Sequence, residues 1–493
     1  MKNGSPQSKL VVIGVLLALA LLPSISGCST SPESPLATVL RAIGPGVGLP
    51  PVAAREFKRF DTVYRKYADT PDQSKLDYFG FAFKRVRTSY VRPVSDKDLI
   101  DAAIKGVEET KAKPGSLSPD VVVEAALDAM TASLDPHTAY FNSEEFKESF
   151  VRTRGEFGGL GIEVTMEDDF VKIVSPIEDT PAARAGLRSG DLITHVDTHS
   201  IQGKTLRDAV IKMRGAPDTK ILLKIRRKGR ADFDVTLTRA IIKVQAVKWR
   251  LEDRIGYIRV SRFSERLEGG IIKAIASIRA ELGAQPDGYV LDLRNNPGGL
   301  LDQSIILSDT FLNDGEIVSV RGRDPQDIRS YKAESGDLGE NVPMVVLING
   351  GSASASEIVA SALKIHKRAT IMGTRSFGKG SVQSIIPLPV DGALKLTIAL
   401  YYGPDGRTIQ AQGVVPDIRI VPEEEVAHRK EADEPGAFAA RNKVDKTGQS
   451  QVHISTCREV GDRKDRELGC ALDFLKAGSR DKFLVEHVNR QRM

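Results

Sequence analysis

The chain is expected to fold as a multidomain α/β protein, and three observations support this. At 493 residues it is long enough for two or three cores. Between Ile241 and Val421 apolar strand-like runs alternate with helix-like stretches: Gly256–Val260 and Tyr289–Leu293 flank a helical pattern from Gly269 to Leu282, and Val345–Ile348 leads through a Gly/Ser/Ala turn into Ile358-Val359-Ala360. Ahead of that core, residues 55–150 read as helical.

Taken in order, residues 1–27 place Lys2 and Lys9 before an uncharged apolar stretch from Leu10 to Leu22, too short to span a bilayer comfortably, which predicts a signal peptide. Ile25-Ser26-Gly27-Cys28 resembles a bacterial lipobox, so Cys28 is the expected lipidation site; a plain signal peptide cut nearby is the alternative. Five prolines between Pro32 and Pro51 make residues 28–54 an expected flexible tether. In the helical region, Ser95-Asp96-Lys97-Asp98 forms a capping-box pattern ahead of Leu99, Ile100, Ala103, Ile104 and Val107, and Leu134-Asp135-Pro136-His137-Thr138 ends the region. Residues 422–493 begin with a charged stretch and end in a helical segment around Asp465–Gly478.

Two short motifs carry chemistry. Ser354 lies in Asn349-Gly350-Gly351-Ser352-Ala353-Ser354-Ala355-Ser356-Glu357, between a strand and a helix, where small residues let backbone N–H groups crowd an attacking oxygen at a helix N-terminus. Lys379 lies in Ser376-Phe377-Gly378-Lys379-Gly380-Ser381-Val382-Gln383, after the apolar run Ala369–Met372. An exposed lysine has a pKa of about 10.4, so a lysine base at neutral pH must be buried enough to disfavour its ammonium form.

With Leu291-Asp292-Leu293-Arg294-Asn295-Asn296-Pro297-Gly298-Gly299 and Gly406-Arg407-Thr408-Ile409-Gln410, these segments resemble the carboxy-terminal processing peptidases, serine proteases with a Ser/Lys dyad, over residues from about Phe81 to Ile420. The resemblance implies an α/β protease core at 241–421, Ser354 as nucleophile, Lys379 as base and Gln383 as its assistant. It also implies an oxyanion hole from the Ala355 N–H and one N–H of Gly298 or Gly299, with Gly299 favoured. Ser352 and Ser356 are expected to be structural. No metal or cofactor is implied.

Phe157-Gly158-Gly159-Leu160-Gly161-Ile162-Glu163-Val164, Val171–Val174 and Pro181-Ala182-Ala183-Arg184-Ala185-Gly186-Leu187-Arg188-Ser189-Gly190-Asp191 resemble a PDZ domain, a small α+β sandwich or barrel-like module, over 155–240. The resemblance implies that Gly159, Leu160, Gly161 and Ile162 present N–H groups to a peptide's terminal carboxylate, beside a pocket for an apolar C-terminal side chain. Such a domain can also gate the active site.

Several rival readings can be weighed. Gly373–Lys379 matches the G-x-x-x-x-G-K part of a P-loop, but Gly380 stands where Ser or Thr must ligate magnesium, and the chain beyond reads as strands rather than a helix. His366 is the histidine nearest Ser354 in sequence, yet no G-x-S-x-G elbow is present. His195 and His199 would suit a metal only on a helix, and they fall in a strand-to-turn stretch. A non-catalytic PDZ adaptor with a degenerate core is disfavoured because Ser354 and Lys379 are both present. With 70 basic and 65 acidic residues the net charge is +5, and nothing points to nucleic acid. In an oxidising periplasm Cys457 and Cys470 could pair, two free thiols being the alternative.

The expected protein is therefore an endopeptidase of the bacterial cell envelope on the periplasmic side, lipid-anchored through Cys28 or soluble in the periplasm, acting on protein C-terminal tails. The terminal helical segments leave room for a homo-oligomer or an adaptor protein.

Overall fold

The computed structural model describes residues 48–177, 179–424, 429–440, 449–462 and 464–492. Cys28, the expected signal peptide and nearly all of the expected tether lie outside them. The tether reading is corrected at its end: a helix starts at Pro51 and runs to Tyr67. A proline at the first helical position loses no hydrogen bond there and carries a helix-ready φ, so the Pro50-Pro51 pair marks a helix start. Among the described residues no helix is long and apolar enough to cross a membrane.

Residues 55–150 are mostly helical, in Gln73–Ser89, Asp96–Glu109 and Pro119–Ala132, with Ser95 accepting from the Asp98 N–H as N-cap. Phe60, Phe79, Phe83, Leu99, Ile100 and Leu127 fill the centre of this bundle. It packs on a five-stranded antiparallel sheet in which Ala393–Tyr402 is the long central strand, paired with Ser381–Pro387, Glu316–Arg321 and the short Ala139–Phe141 that follows the bundle.

The second sheet has seven strands in the order Val247–Glu252, Ile255–Val260, Gly288–Asp292, Met344–Ile348, Thr370–Gly373, Ile418–Val421 and Ser450–His453, parallel except for the first pair. Gly288–Asp292 and Met344–Ile348 are buried throughout, as a parallel sheet covered on both faces requires. Strand alternation sorts their side chains. Leu291, Val346 and Ile348 face helices Leu267–Leu282 and Ala355–Ile365, whereas Val290, Val345 and Leu347 face the C-terminal helix Arg466–Ala477 and Phe483.

The boundary at 421 is therefore corrected. Residues beyond it supply the last strand of the core sheet and the cover of one whole face, a role hidden in sequence by the charged stretch that precedes them. Cys457 and Cys470, both buried, form a disulfide across that cover. Replacing both by Ser is expected to lower stability by about 2–4 kcal/mol, since the cross-link shortens the loops open to the unfolded chain. A denaturant midpoint equal to that of the parent would show that the helices hold the face without the link.

In the module spanning 155–240, a six-stranded sheet runs in the order Ile162–Glu167, Phe170–Pro176, Leu192–Val196, Lys220–Arg226 and Phe233–Thr238, with the short His199–Ser200 paired to Leu192–Val196, and the helix Leu206–Met213 packs on the same apolar cluster. Ile162–Glu167 is an edge strand. His195 and His199 sit on two strands joined through Asp197 at φ 51°, not on a helix.

Candidate active site

Three loops meet at the carboxyl ends of three adjacent parallel strands, the usual position of a site in an open α/β sheet. Residues 293–299 follow Gly288–Asp292, the Ser354 turn follows Met344–Ile348, and the Lys379 loop follows Thr370–Gly373. The Ser352 and Ser356 hydroxyls donate to the carbonyls of Leu293 (2.8 Å) and Asn296 (2.9 Å), tying the first two loops together.

Ser354 stands at the N-terminus of the helix Ala355–Ile365 with φ 58° and ψ −116°. A non-glycine residue in that region costs of order 1–3 kcal/mol and persists only where its surroundings hold it. They do so through Glu357, one turn into the helix and fully buried. Its Oε2 accepts from the Ser354 N–H (2.7 Å) and the Lys379 N–H (2.9 Å), and its Oε1 from the Gly378 N–H (2.7 Å) and the Ser376 hydroxyl (2.6 Å). One carboxylate thus joins the serine turn to the lysine loop. Burial pushes the Glu357 carboxyl up to about 7, against the opposing pull of these four donors. In sequence, Ser354-x-x-Glu357 at a helix start signals a cap, and nothing local marks the lysine loop that the same carboxylate holds.

Lys379 is partly buried. Desolvation is the largest cause that lowers its pKa to about 8; nearby Lys395 works the same way, and Glu431, Glu357 and Asp135 oppose it. The amine donates to the Gln383 Oε1 (2.6 Å) and the Ser381 carbonyl (3.1 Å). It makes no direct hydrogen bond to the Ser354 hydroxyl in this state. Tyr401, outside the motifs, donates its hydroxyl to the Lys379 carbonyl, and the Ser354 side chain is among the groups that act on it.

The two glycines of the first loop differ. Gly298, at φ 96°, lies so close to the nucleophile that a Cβ there would come within 2.8 Å of the Ser354 Cβ and 3.0 Å of the Ala355 nitrogen. Its N–H donates to the Asn296 Oδ1 (2.9 Å), while that of Gly299 has no acceptor among the described residues. Arg294, just before this turn, is nearly buried and donates to Asp292, Asp465 and Glu467, so the cap of the C-terminal helix anchors the turn.

Other candidates lie elsewhere in role. His366 caps the helix that Ser354 begins, and its Nε2 donates to the Glu316 carbonyl (2.7 Å). The chain after Lys379 is the strand Ser381–Pro387, where a P-loop would open into a helix. A groove of about 920 Å³ is lined by Leu301, Val320, Val382 and Ile398 together with Arg323, Asp324, Asp327 and Arg329.

In the 155–240 module, Gly159 ends a strand paired with Ala240–Lys243, and the Leu160 side chain is buried. Gly161 has φ 78° and lies where a Cβ would meet Thr180 at 2.2 Å. The amides of Leu160 and Gly161 have no acceptor among the described residues, and Ile162 opens the edge strand. Ile162, Val164, Leu206 and Val210 are apolar and only partly buried along that edge and the neighbouring helix.

Comparison with known proteins gives two family matches: Peptidase family S41 over residues 254–420 and PDZ domain over residues 158–237. The chain is 51% identical over 346 residues to a carboxy-terminal-processing protease of Bartonella bacilliformis, covering 70% of this chain and 74% of the relative. It is 33% identical over 357 residues to the carboxy-terminal processing protease CtpA of Bacillus subtilis, covering 72% and 71%. Among solved structures, the photosystem II D1 C-terminal processing protease aligns at 28% identity with a TM-score of 0.44, covering 71% of this chain and 94% of that one.

Proposed function

The chain belongs to peptidase family S41 and is a serine peptidase carrying a PDZ domain, and from that premise we propose that it cleaves proteins after capturing their C-terminal tails, using Ser354 and Lys379. The observation that carries the dyad is the bonding of the Lys379 amine. A neutral amine has two hydrogens and one lone pair. The Gln383 Oε1 and the Ser381 carbonyl take both hydrogens, so the lone pair is left to accept a proton.

Neutral Lys379 takes the Ser354 proton as Oγ attacks the scissile carbonyl. The oxyanion is held by the N–H groups of Ala355 and Gly299; Gly298 serves by making room, since its own N–H is occupied by Asn296. Collapse breaks the C–N bond, the ammonium of Lys379 returns the proton to the leaving amine, and an acyl-enzyme remains on Ser354. Water, deprotonated by Lys379, attacks the acyl carbon, the bond to Ser354 Oγ breaks, and the Lys379 ammonium returns the proton to Oγ, releasing the acid. Catalytic hydrogen bonds often tighten only with substrate bound, and tail binding at the PDZ domain is the event that draws the lysine to the serine here.

The tail adds as a strand beside Ile162–Glu167, its carboxylate on the free amides near Gly161 and its apolar last side chain among Ile162, Val164 and Val210. The site of action is the cell envelope, with Cys28 as lipid anchor. Cleavage of an unfolded reporter ending in a free apolar C-terminus tests this reading. Amidating that C-terminus, or making Gly161→Pro, is expected to lower kcat/KM about tenfold to a hundredfold, the value of hydrogen bonds to a charged group. Rates unchanged by both would sink tail capture and leave the peptidase assignment standing.

A further inference from the structure

The phrase Leu134–Thr138 ends the N-terminal bundle, far in sequence from both catalytic motifs, yet its carboxylate lies two hydrogen bonds from the assistant of the base. Asp135 is buried. Its Oδ1 accepts from the Thr397 hydroxyl (3.1 Å), and its Oδ2 from the Thr138 hydroxyl (2.7 Å), whose oxygen also accepts from the Thr397 N–H (3.1 Å) and lies 3.2 Å from the Thr397 Oγ1. Thr397 is itself fully buried on the central strand of the antiparallel sheet. The Gln383 Nε2 reaches the Thr397 Oγ1 (3.1 Å) and the Ser381 Oγ (3.0 Å), and the Gln383 Oε1 reaches the Lys379 amine (2.6 Å).

Proton counting gives this chain one direction. An ionised carboxylate only accepts, so Thr397 must spend its single hydroxyl proton on Asp135. The Thr397 oxygen can then only accept from Gln383, which turns the amide NH2 toward Thr397 and the amide oxygen toward Lys379. We propose that Asp135 and Thr397 are positioning residues for catalysis, setting the polarity of the Gln383 amide so that it accepts from Lys379 and leaves the lysine lone pair to Ser354. Without them the amide is free to flip, its NH2 then competes with Ser354 for that lone pair, and the neutral lysine is favoured for the wrong purpose. The proposal rests on the dyad reading above.

The test uses the full chain, with a saturating peptide that ends in a free apolar C-terminus to occupy the PDZ domain, and the rate at which a fluorophosphonate probe labels Ser354, followed against pH. Charged groups that face Lys379 are Lys395, Glu431, Glu357 and Asp135; Thr397→Val alters none of them and keeps a β-branched residue in the strand. Thr397→Val is expected to lower the high-pH plateau about tenfold to a hundredfold, as misplacement of a reacting group does, and to move the acidic limb to lower pH. Thr397→Ser should restore both. In a Gln383→Leu background Thr397→Val should add less than about a twofold loss, because the residue it acts through is already gone. A Thr397→Val plateau and limb equal to those of the parent, or the same loss with and without Gln383, would overturn the proposal. If Thr397→Val fails to fold, Asp135→Asn is read at the plateau instead: about tenfold lower supports the proposal and an unchanged plateau overturns it. Lys379→Met separates the two levels. Parental labelling in that variant would remove the dyad and this inference together, whereas lost labelling there with an indifferent Thr397→Val removes only the inference.

Discussion

Ser354→Ala and Lys379→Met are each expected to reduce peptide cleavage by about 10⁴-fold or more, the loss usual when one member of a nucleophile and base pair is removed. Each should do so alone, because neither partner can act without the other. The cleavage rate of the parent should rise with pH and level off above about 8, where the Lys379 amine becomes neutral. Stability carries the opposite signature. A buried lysine whose pKa is lowered pays for its charge in full below pH 8, and the cost vanishes as pH passes the ordinary value of about 10.4. Lys379→Met should therefore raise stability at pH 7, by about 2 kcal/mol after allowance for the part of the side chain that solvent reaches. Cleavage that survives Lys379→Met with its pH limb unmoved would show that another group is the base.

The second large effect belongs to Glu357. Glu357→Leu leaves four donors from two loops without an acceptor inside the protein; at about 1–3 kcal/mol each, less what relaxation recovers, a loss of about 4 kcal/mol or more is expected. It should also abolish Ser354 labelling, since nothing then holds the serine turn against the lysine loop. Glu357→Gln is no gentle change here. A carboxylate accepts at both oxygens, whereas an amide must present an NH2 to one pair of those donors. Denaturant midpoints and probe labelling measured together check both variants. Parental stability and labelling in Glu357→Gln would mean that the carboxylate does not organise the site.

Much of the fold and the site was legible. The strands around Val290 and Val346, the cap at Ser95 and the helix opened by Asp465 all appear where local pattern put them. The two motifs were found because each packs its chemistry into fewer than ten contiguous residues. The role of Ser450–His453 escaped because a four-residue edge strand after a charged stretch has too short a pattern to stand out. The start at Pro51 escaped because a proline pair reads equally as linker or as helix start.

Sequence by itself determined which groups are available to react, the peptidase and PDZ motifs and the local turns that carry them, because propensity, capping and backbone chirality act over a few residues. Only tertiary structure decided which of the Gly298-Gly299 amides is free and that Glu357 joins two loops. It also brought Asp135, from the N-terminal bundle, to Thr397 and so to the base. Those choices depend on sheet order and on the direction of single hydrogen bonds between segments up to 262 residues apart, and no local pattern encodes either.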